Sequence, residues 1–195
     1  MGNPLRDRRT AAELASDGQV IEIADKVGAF ESLASIVEAD LAALDPDKMP
    51  SAWRESVVSG ALQFGFADAA GRVPKLEGGA DAEVAAVCQR CLEPFELKLS
   101  IEPELLLLGA DAEAVAEGFE DIEVWELDER AVRPQDIVEE LLIMAMPLSA
   151  MHDNMTECKA LASADSSADE EIEELVNPFA NLRLQMKQNE KDSDT

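Results

Sequence analysis

The chain of 195 residues has a formal net charge of −26, from 42 acidic and 16 basic residues, and 47% of its residues are hydrophobic. That apolar fraction is enough for one globular domain with an aliphatic core, because aromatic residues make up only 4% and tyrosine is absent. No apolar run is long enough to span a bilayer or to form a secretory signal, so we expect a cytoplasmic protein. The strong negative charge opposes broad binding to phosphate.

The N-terminal part predicts an irregular segment followed by a strand and a helix. Residues 1–18 show no steady hydrophobic period, so we expect a flexible N-terminus, and residues 19–23 can form a short strand. Residues 30–44 have helical periodicity, and Asp45-Pro46 then ends the helix. The apolar stripe of this helix consists of Phe30, Leu33, Val37, Leu41 and Leu44.

From residue 56 the apolar period changes to two, which predicts an extended chain. The expected strands cover residues 58–66, 73–76, 82–88, 95–101, 105–108 and 122–127. We interpret Gly78-Gly79 as a break between the second and third strands, residues 88–91 as a hairpin tip, and residues 109–121 as an acidic loop.

A second helix begins near Pro134, where the missing N–H costs nothing, and ends at Pro147. Its expected buried stripe is Ile137, Val138, Leu141, Leu142 and Ala145. The pattern predicts an α+β fold: an antiparallel, barrel-like sheet with one amphipathic helix before it and one after it. The predicted organisation is a single domain over residues 19–158, a flexible acidic linker over 159–176, and a tail over 177–195 with an Asn-Pro-Phe element.

Every cysteine and histidine of the chain lies in two short clusters. Cys88 and Cys91 form a Cys-x-x-Cys pair, and His152 and Cys158 follow about sixty residues later. Two thiolates at this spacing can hold one ion from a tight turn, and a Cys₃His set is a common structural zinc site. Leu92 occupies the place where zinc knuckles usually carry glycine.

Three interpretations of these clusters remain open at the level of sequence. Cys88, Cys91, His152 and Cys158 could hold a structural zinc ion, or they could be metal-free residues that pack as small apolar groups or contact a partner. A redox pair is the third possibility, although such pairs place the first cysteine at a helix N-terminus, whereas strand patterning and Pro94 follow here. A single histidine leaves little scope for a catalytic pair, so we expect no enzyme.

Three blocks of the chain resemble the YceD-like large ribosomal RNA accumulation family. The first block is Cys88-Gln89-Arg90-Cys91-Leu92-Glu93-Pro94-Phe95. The second comprises Asp121-Ile122-Glu123, Glu139-Glu140-Leu141, Pro147, His152 and Cys158, and the third comprises Asn177-Pro178-Phe179-Ala180 and Leu182. Together they cover roughly residues 56–187 in the order of the family.

The resemblance implies a role in the synthesis, processing or stability of 23S rRNA, and thus in large-subunit biogenesis, without an assigned reaction. It implies that the Cys-x-x-Cys block and the His…Cys block lie near one another. Some relatives are richer in cysteine in the second block, which favours a metal. The implied partners are rRNA-processing or ribosomal proteins and 23S rRNA itself.

Direct RNA contact would have to use local basic positions, for which the candidates are Arg90, Arg183 and Lys187. A route through proteins is electrostatically favoured, because an acidic surface attracts basic proteins. An alternative from a different class is a metal-stabilised acidic adaptor unconnected with rRNA, in which residues 177–179 would be a docking motif.

Overall fold

The computed structural model describes residues 3–109, 118–119, 121–127 and 131–158. Contacts divide the chain into two units, Met1–Glu157 and Cys158–Thr195. The strands of the first unit are β1 (Arg9–Thr10), β2 (Val20–Lys26), β3 (Val57–Phe66), β4 (Pro74–Val87), β5 (Pro94–Ile101), β6 (Glu104–Gly109), β7 (Glu123–Leu127) and β8 (Ala131–Val132). Its α-helices are α1 (Ala11–Asp17), α2 (Glu31–Leu41) and α3 (Pro134–Ala145), with three-residue 3₁₀ turns at Val27–Ala29, Pro46–Lys48, Trp53–Glu55 and Met155–Glu157.

The larger sheet has six strands, arranged around the long strand β4. Its main path is β2-β3-β4-β6-β7, and β5 pairs with the C-terminal half of β4, whereas β6 pairs with the N-terminal end of β4. Strands β1 and β8 form a separate two-stranded sheet. This arrangement confirms the α+β class.

The expected barrel-like antiparallel sheet differs from the observed one in two respects. Strands β6 and β7 pair in parallel, with Leu105 opposite Glu123, whereas the other described pairs are antiparallel. In the described part of the chain, the strand order does not close into a barrel. The parallel pair is possible because the connection between Gly109 and Glu123 is long enough to return the chain to the same end of the sheet. No local pattern in the sequence reveals this pairing.

The predicted break at Gly78-Gly79 is wrong, since β4 runs through it from Pro74 to Val87. The glycines allow β3 and β4 to approach closely. A Cβ atom at Gly78 would lie 2.2 Å from the carbonyl oxygen of Ala61, and one at Gly60 would lie 2.1 Å from that of Gly79. Glycine inside a strand often marks such an approach. The two strands predicted on either side of Gly78-Gly79 are therefore a single strand.

The prediction of an irregular N-terminus is wrong for residues 9–17, which form β1 and α1. Thr10 and Glu13 make a capping box: the Thr10 hydroxyl accepts from the Glu13 N–H, and the Glu13 carboxylate accepts from the Thr10 N–H. Leu5 and Leu14 are buried in the core. The helix has only seven residues, too few for its period to stand out in the sequence.

Both predicted amphipathic helices are confirmed, although the predicted stripe of α3 is wrong at its last residue. All five residues of the predicted stripe of α2, from Phe30 to Leu44, are buried, and α3 begins at Pro134 as expected. In α3, Ile137, Val138 and Leu142 are buried and Leu141 is half-buried, but the predicted burial of Ala145 is wrong, because this residue is exposed at the end of the helix. The strands β2, β3, β5, β6 and β7 also match their predictions to within a few residues.

A side chain of α3 satisfies the N-terminus of α2. Phe30, the N-cap residue of α2, offers no side-chain acceptor, and Glu139 supplies one instead. Its Oε1 atom accepts hydrogen bonds from the backbone N–H groups of Ser32, at 2.5 Å, and Leu33, at 3.0 Å. The carboxylate also complements the positive end of the helix dipole. The two helices are thereby fixed together ahead of the segment that follows α3.

The predicted linker over 159–176 and the tail over 177–195 lie outside the described residues. Within the described residues, no helix is long and apolar enough to cross a membrane.

Replacing Glu139 with Ala is expected to lower the free energy of unfolding by about 1–2 kcal/mol, because two N–H groups of α2 lose their acceptor. Chemical denaturation of the purified protein measures the change. Glu140→Ala is the matched control, since the adjacent carboxylate is exposed and should cost no more than about 0.5 kcal/mol. Equal losses in the two variants would contradict the capping role.

Candidate metal centre

The first thiol pair lies in the tight connection between β4 and β5. Cys88 follows the last residue of β4, and Pro94 begins β5, so the predicted hairpin tip is confirmed. The Leu92 N–H donates to the Cys88 carbonyl at 2.8 Å, and the Cys88 N–H donates to the Glu93 carbonyl at 3.0 Å. These two bonds fold the six residues into a turn that directs both thiols to one side.

Two contacts fasten this turn to the helical layer. The Asp40 carboxylate, at the end of α2, accepts from the Val87 N–H at 2.8 Å. Lys48 donates to the Glu93 carboxylate at 2.5 Å, and this hydrogen bond, more than the charge of Glu93, raises the pKa of Lys48. The turn is thus held both at its entrance and near its exit.

The segment after α3 brings the second pair of candidate ligands. The Gln89 N–H donates to the carbonyl of Ala150 at 2.8 Å, which joins the two loops through their backbones. His152 follows two residues later, and the 3₁₀ turn Met155–Glu157 leads to Cys158. The expectation that the two clusters share one corner of the molecule is therefore confirmed.

The four candidate ligand atoms of Cys88, Cys91, His152 and Cys158 all lie within 4.8 Å of one another. The Sγ of Cys91 is 3.6 Å from the Nδ1 of His152. In a tetrahedral zinc site, Zn–S and Zn–N bonds of about 2.3 and 2.1 Å place neighbouring ligands about 3.5–3.8 Å apart. The Cys91–His152 distance already matches such an edge, and no other pair of these ligand atoms is more than 4.8 Å apart. Cys88 and Cys158 are fully buried, so two of the four ligands are shielded from water.

The surroundings of Cys88 favour its thiolate form. Burial raises the pKa of the Cys88 thiol, but hydrogen bonds from the backbone N–H groups of His152, Cys91 and Arg90, with one from the side chain of Cys91, outweigh burial. They lower the pKa from 9.0 to about 6. Because the thiolate is the form that binds a metal, this residue is prepared for ligation at neutral pH.

Asp40 and Phe95 also belong to this corner, although neither was predicted as a site residue. The ring of Phe95, in β5, lies 4.8 Å from the ring of His152, centroid to centroid, at an interplanar angle of 39°. Phe95 stands close to the Cys-x-x-Cys pair, so proximity along the chain could have indicated it. Asp40 lies 47 residues before the N–H that it binds, and no local pattern could have found it.

Comparison with known proteins assigns this chain to a family. The family model described as "Large ribosomal RNA subunit accumulation protein YceD" matches residues 76–185. The match spans 110 of the 195 residues and includes all four candidate ligands. The chain belongs to the YceD family. No curated protein and no solved structure matches it.

Of the predicted RNA-contact residues of this YceD family member, only Arg90 is described. It is partly buried, and its guanidinium Nη2 lies 3.7 Å from the sulfur of Met151, on the opposing loop. Arg183 and Lys187 lie outside the described residues. A role for these three residues in binding RNA stays a prediction.

Leu92 has a left-handed backbone conformation, with φ of +58°, the single positive φ of a non-glycine residue in the described part of the chain. This conformation lets the Leu92 N–H reach back to the Cys88 carbonyl. This conformation destabilises a residue that has a side chain by about 1 kcal/mol or more, whereas glycine adopts it without strain. Leucine therefore forms this turn in place of the glycine that zinc knuckles usually carry, but with local backbone strain.

The variant Leu92→Gly is expected to unfold at the same denaturant concentration as the wild type or a higher one, with a gain of up to about 1 kcal/mol. Leu92→Val should instead lose about 1 kcal/mol or more, because a β-branched residue tolerates positive φ least. Chemical denaturation of the two variants beside the wild type measures both effects. A clear loss of stability in Leu92→Gly would show that the leucine side chain supports the fold.

Proposed function

We propose that this protein is a non-enzymatic cytoplasmic factor that supports the accumulation of 23S rRNA during biogenesis of the large ribosomal subunit. The observation that carries the proposal is the YceD family match over residues 76–185, which spans most of the large sheet, helix α3 and the thiol corner. Membership supports a role in the synthesis, processing or stability of this RNA. The first family block and the His152 and Cys158 positions of the second block meet at the corner formed by the two loops.

We infer that Cys88, Cys91, His152 and Cys158 hold one structural zinc ion. Three thiolates and one imidazole are a donor set that suits zinc, and their mutual distances are close to those of a tetrahedral site. Four protein ligands leave no open position for a substrate or an activated water, so the ion would stabilise the fold and take no part in catalysis. When bound, zinc supplies a cross-link between the β4–β5 turn and the segment after α3.

The charge of the protein favours action through other proteins. A chain with a net charge of −26 repels the phosphate backbone, whereas basic ribosomal or RNA-processing proteins are attracted to it. Direct contact with 23S rRNA would depend on the few basic positions, such as Arg90. We therefore propose a protein-mediated route.

The purified wild-type protein is expected to contain about one zinc ion per chain by elemental analysis. Cys91→Ser should lose the zinc and lower the melting temperature by about 5–10 °C, because loss of the ion removes several kcal/mol of stability. Asp153→Asn is the matched control: it changes a residue next to His152 that is not a ligand, and it should keep the metal. Wild-type protein without stoichiometric metal would contradict the zinc site and leave the ribosomal role intact.

Depletion of the protein in cells is expected to reduce mature 23S rRNA and free and assembled 50S particles, while 16S rRNA changes less. Northern blots and sucrose gradients measure both. Re-expression of the wild-type chain should restore the levels. Normal 23S rRNA and 50S particles after full depletion would reject the ribosomal role and would favour the acidic adaptor that is unconnected with rRNA.

A further inference from the structure

Four large apolar side chains project into solvent around the thiol corner. They are Leu92, Leu148, Met151 and Met155, with exposed fractions of 65%, 109%, 43% and 69%, and together we call them the Leu-Met surface. Of the ten exposed large hydrophobic residues in the described part of the chain, these are four, and Met144 at the end of α3 is a fifth. Single exposed apolar residues are ordinary on proteins, whereas a local concentration marks an interaction site.

The residues of the Leu-Met surface lie on two loops that are paired side by side. Three contacts pair successive residues of one loop with successive residues of the other. They are the backbone bond between Gln89 and Ala150, the Arg90–Met151 contact and the Cys91–His152 contact. Leu92 follows the last of these residues on the first loop. Leu148, Met151 and Met155 belong to the second loop, and Met151 makes one of these contacts.

Leu92 provides evidence that the surface has a use outside the fold. Its positive φ makes glycine the residue that would best serve the turn, and most of its side chain is exposed. The backbone at Leu92 is therefore strained, although its side chain contributes little to the core. Strain of this kind is characteristic of residues that are kept for binding.

The charges around the Leu-Met surface indicate the kind of partner. The two loops contribute the carboxylates of Asp153 and Glu157 beside the guanidinium of Arg90, whereas the carboxylate of Glu93 is hydrogen-bonded to Lys48. An apolar patch with an acidic surround, on a chain of net charge −26, complements a protein segment that is basic and partly apolar. It repels RNA, whose binding requires neutralised phosphates.

We propose that the Leu-Met surface docks a Lys- and Arg-rich amphipathic segment of a partner protein, with the apolar side chains of that segment seated on Leu92, Leu148, Met151 and Met155. The flexible thioethers of methionine adapt to varied apolar side chains, and the carboxylates at the margin fix the orientation of the basic ones. This inference rests on the proposed function, since it specifies the partner through which the protein acts.

Photo-crosslinking in cells tests the proposal on the full chain. The substitution Leu148→p-benzoylphenylalanine places a crosslinker in the Leu-Met surface, on a side chain that is fully exposed. The expected product is an adduct with another protein, in which mass spectrometry locates the crosslink in a Lys- and Arg-rich segment that also carries apolar residues. The same crosslinker in place of Val20, an exposed residue of β2, is the positional control and should not form this adduct.

Two further substitutions in the crosslinking chain show whether the surface itself does the binding. Leu92→Gly with Met155→Ser should reduce the yield of the adduct by about tenfold, because it removes two apolar contacts. The denaturation midpoint of this chain should stay near that of the parent, since Leu92→Gly relieves strain and Met155 is exposed. Val124→Ser, at an exposed residue of β7, is the matched control and should leave the yield unchanged.

Four outcomes would overturn the proposal: an adduct with RNA alone, with a second copy of this chain, with residues 159–195 of the same chain, or an adduct with a protein that the double substitution leaves unchanged. These outcomes differ from failure of the proposed function, which the depletion experiment decides. If depletion lowers 23S rRNA and none of the expected crosslinks forms, the ribosomal role stands and the docking surface is rejected. If the crosslinks form and depletion leaves 23S rRNA normal, the surface stands and serves another role.

Discussion

The meeting of two chain segments at one corner is the constraint on which the rest of this structure depends. The backbone bond from Gln89 to Ala150 joins the β4–β5 turn to the segment after α3. Cys88, Cys91 and His152 lie within two residues of that bond along the chain, and Cys158 follows at the end of the second segment. The geometry on each side is prepared separately. On one side, Asp40 and the internal bonds of the turn hold the loop that carries Cys88 and Cys91. On the other side, Glu139 joins α3 to the N-terminus of α2.

The same corner combines two chemical characters that are usually separated. Its interior holds three thiols and an imidazole, and backbone N–H groups that favour the thiolate of Cys88. Its exterior presents leucine and methionine to solvent within an acidic surround. A cross-linked interior would hold the two loops in register and so keep the exterior in one shape, which lowers the entropic cost of binding a partner. Structural metal and docking surface would then serve a single purpose.

The charge of the chain decides which partners are compatible with that exterior. At a net charge of −26, long-range attraction selects basic proteins and opposes bare phosphate, and screening at physiological salt confines any exception to local patches within about 8 Å. This charge supports the proposed route through proteins, in which the chain does not bind the RNA itself. The described basic side chains near the corner agree with this view, since Lys48 is bonded to Glu93 and Arg90 lies against Met151.

Local pattern in the sequence determined both amphipathic helices, most strands, the hairpin tip and the identity of the four candidate ligands. These features depend on the spacing of neighbouring residues, such as the stripe from Phe30 to Leu44. Only the tertiary structure decided what depends on approach between distant segments: the uninterrupted β4, whose Gly78 permits contact with Ala61; the parallel pairing of β6 and β7; and the bond of Asp40 to Val87. The sequence does not distinguish a glycine in a turn from a glycine at a close backbone approach. It also does not distinguish an exposed methionine from a buried one. The position of the partner strand decides the role of such a glycine, and the packing of neighbouring segments decides whether a methionine is exposed.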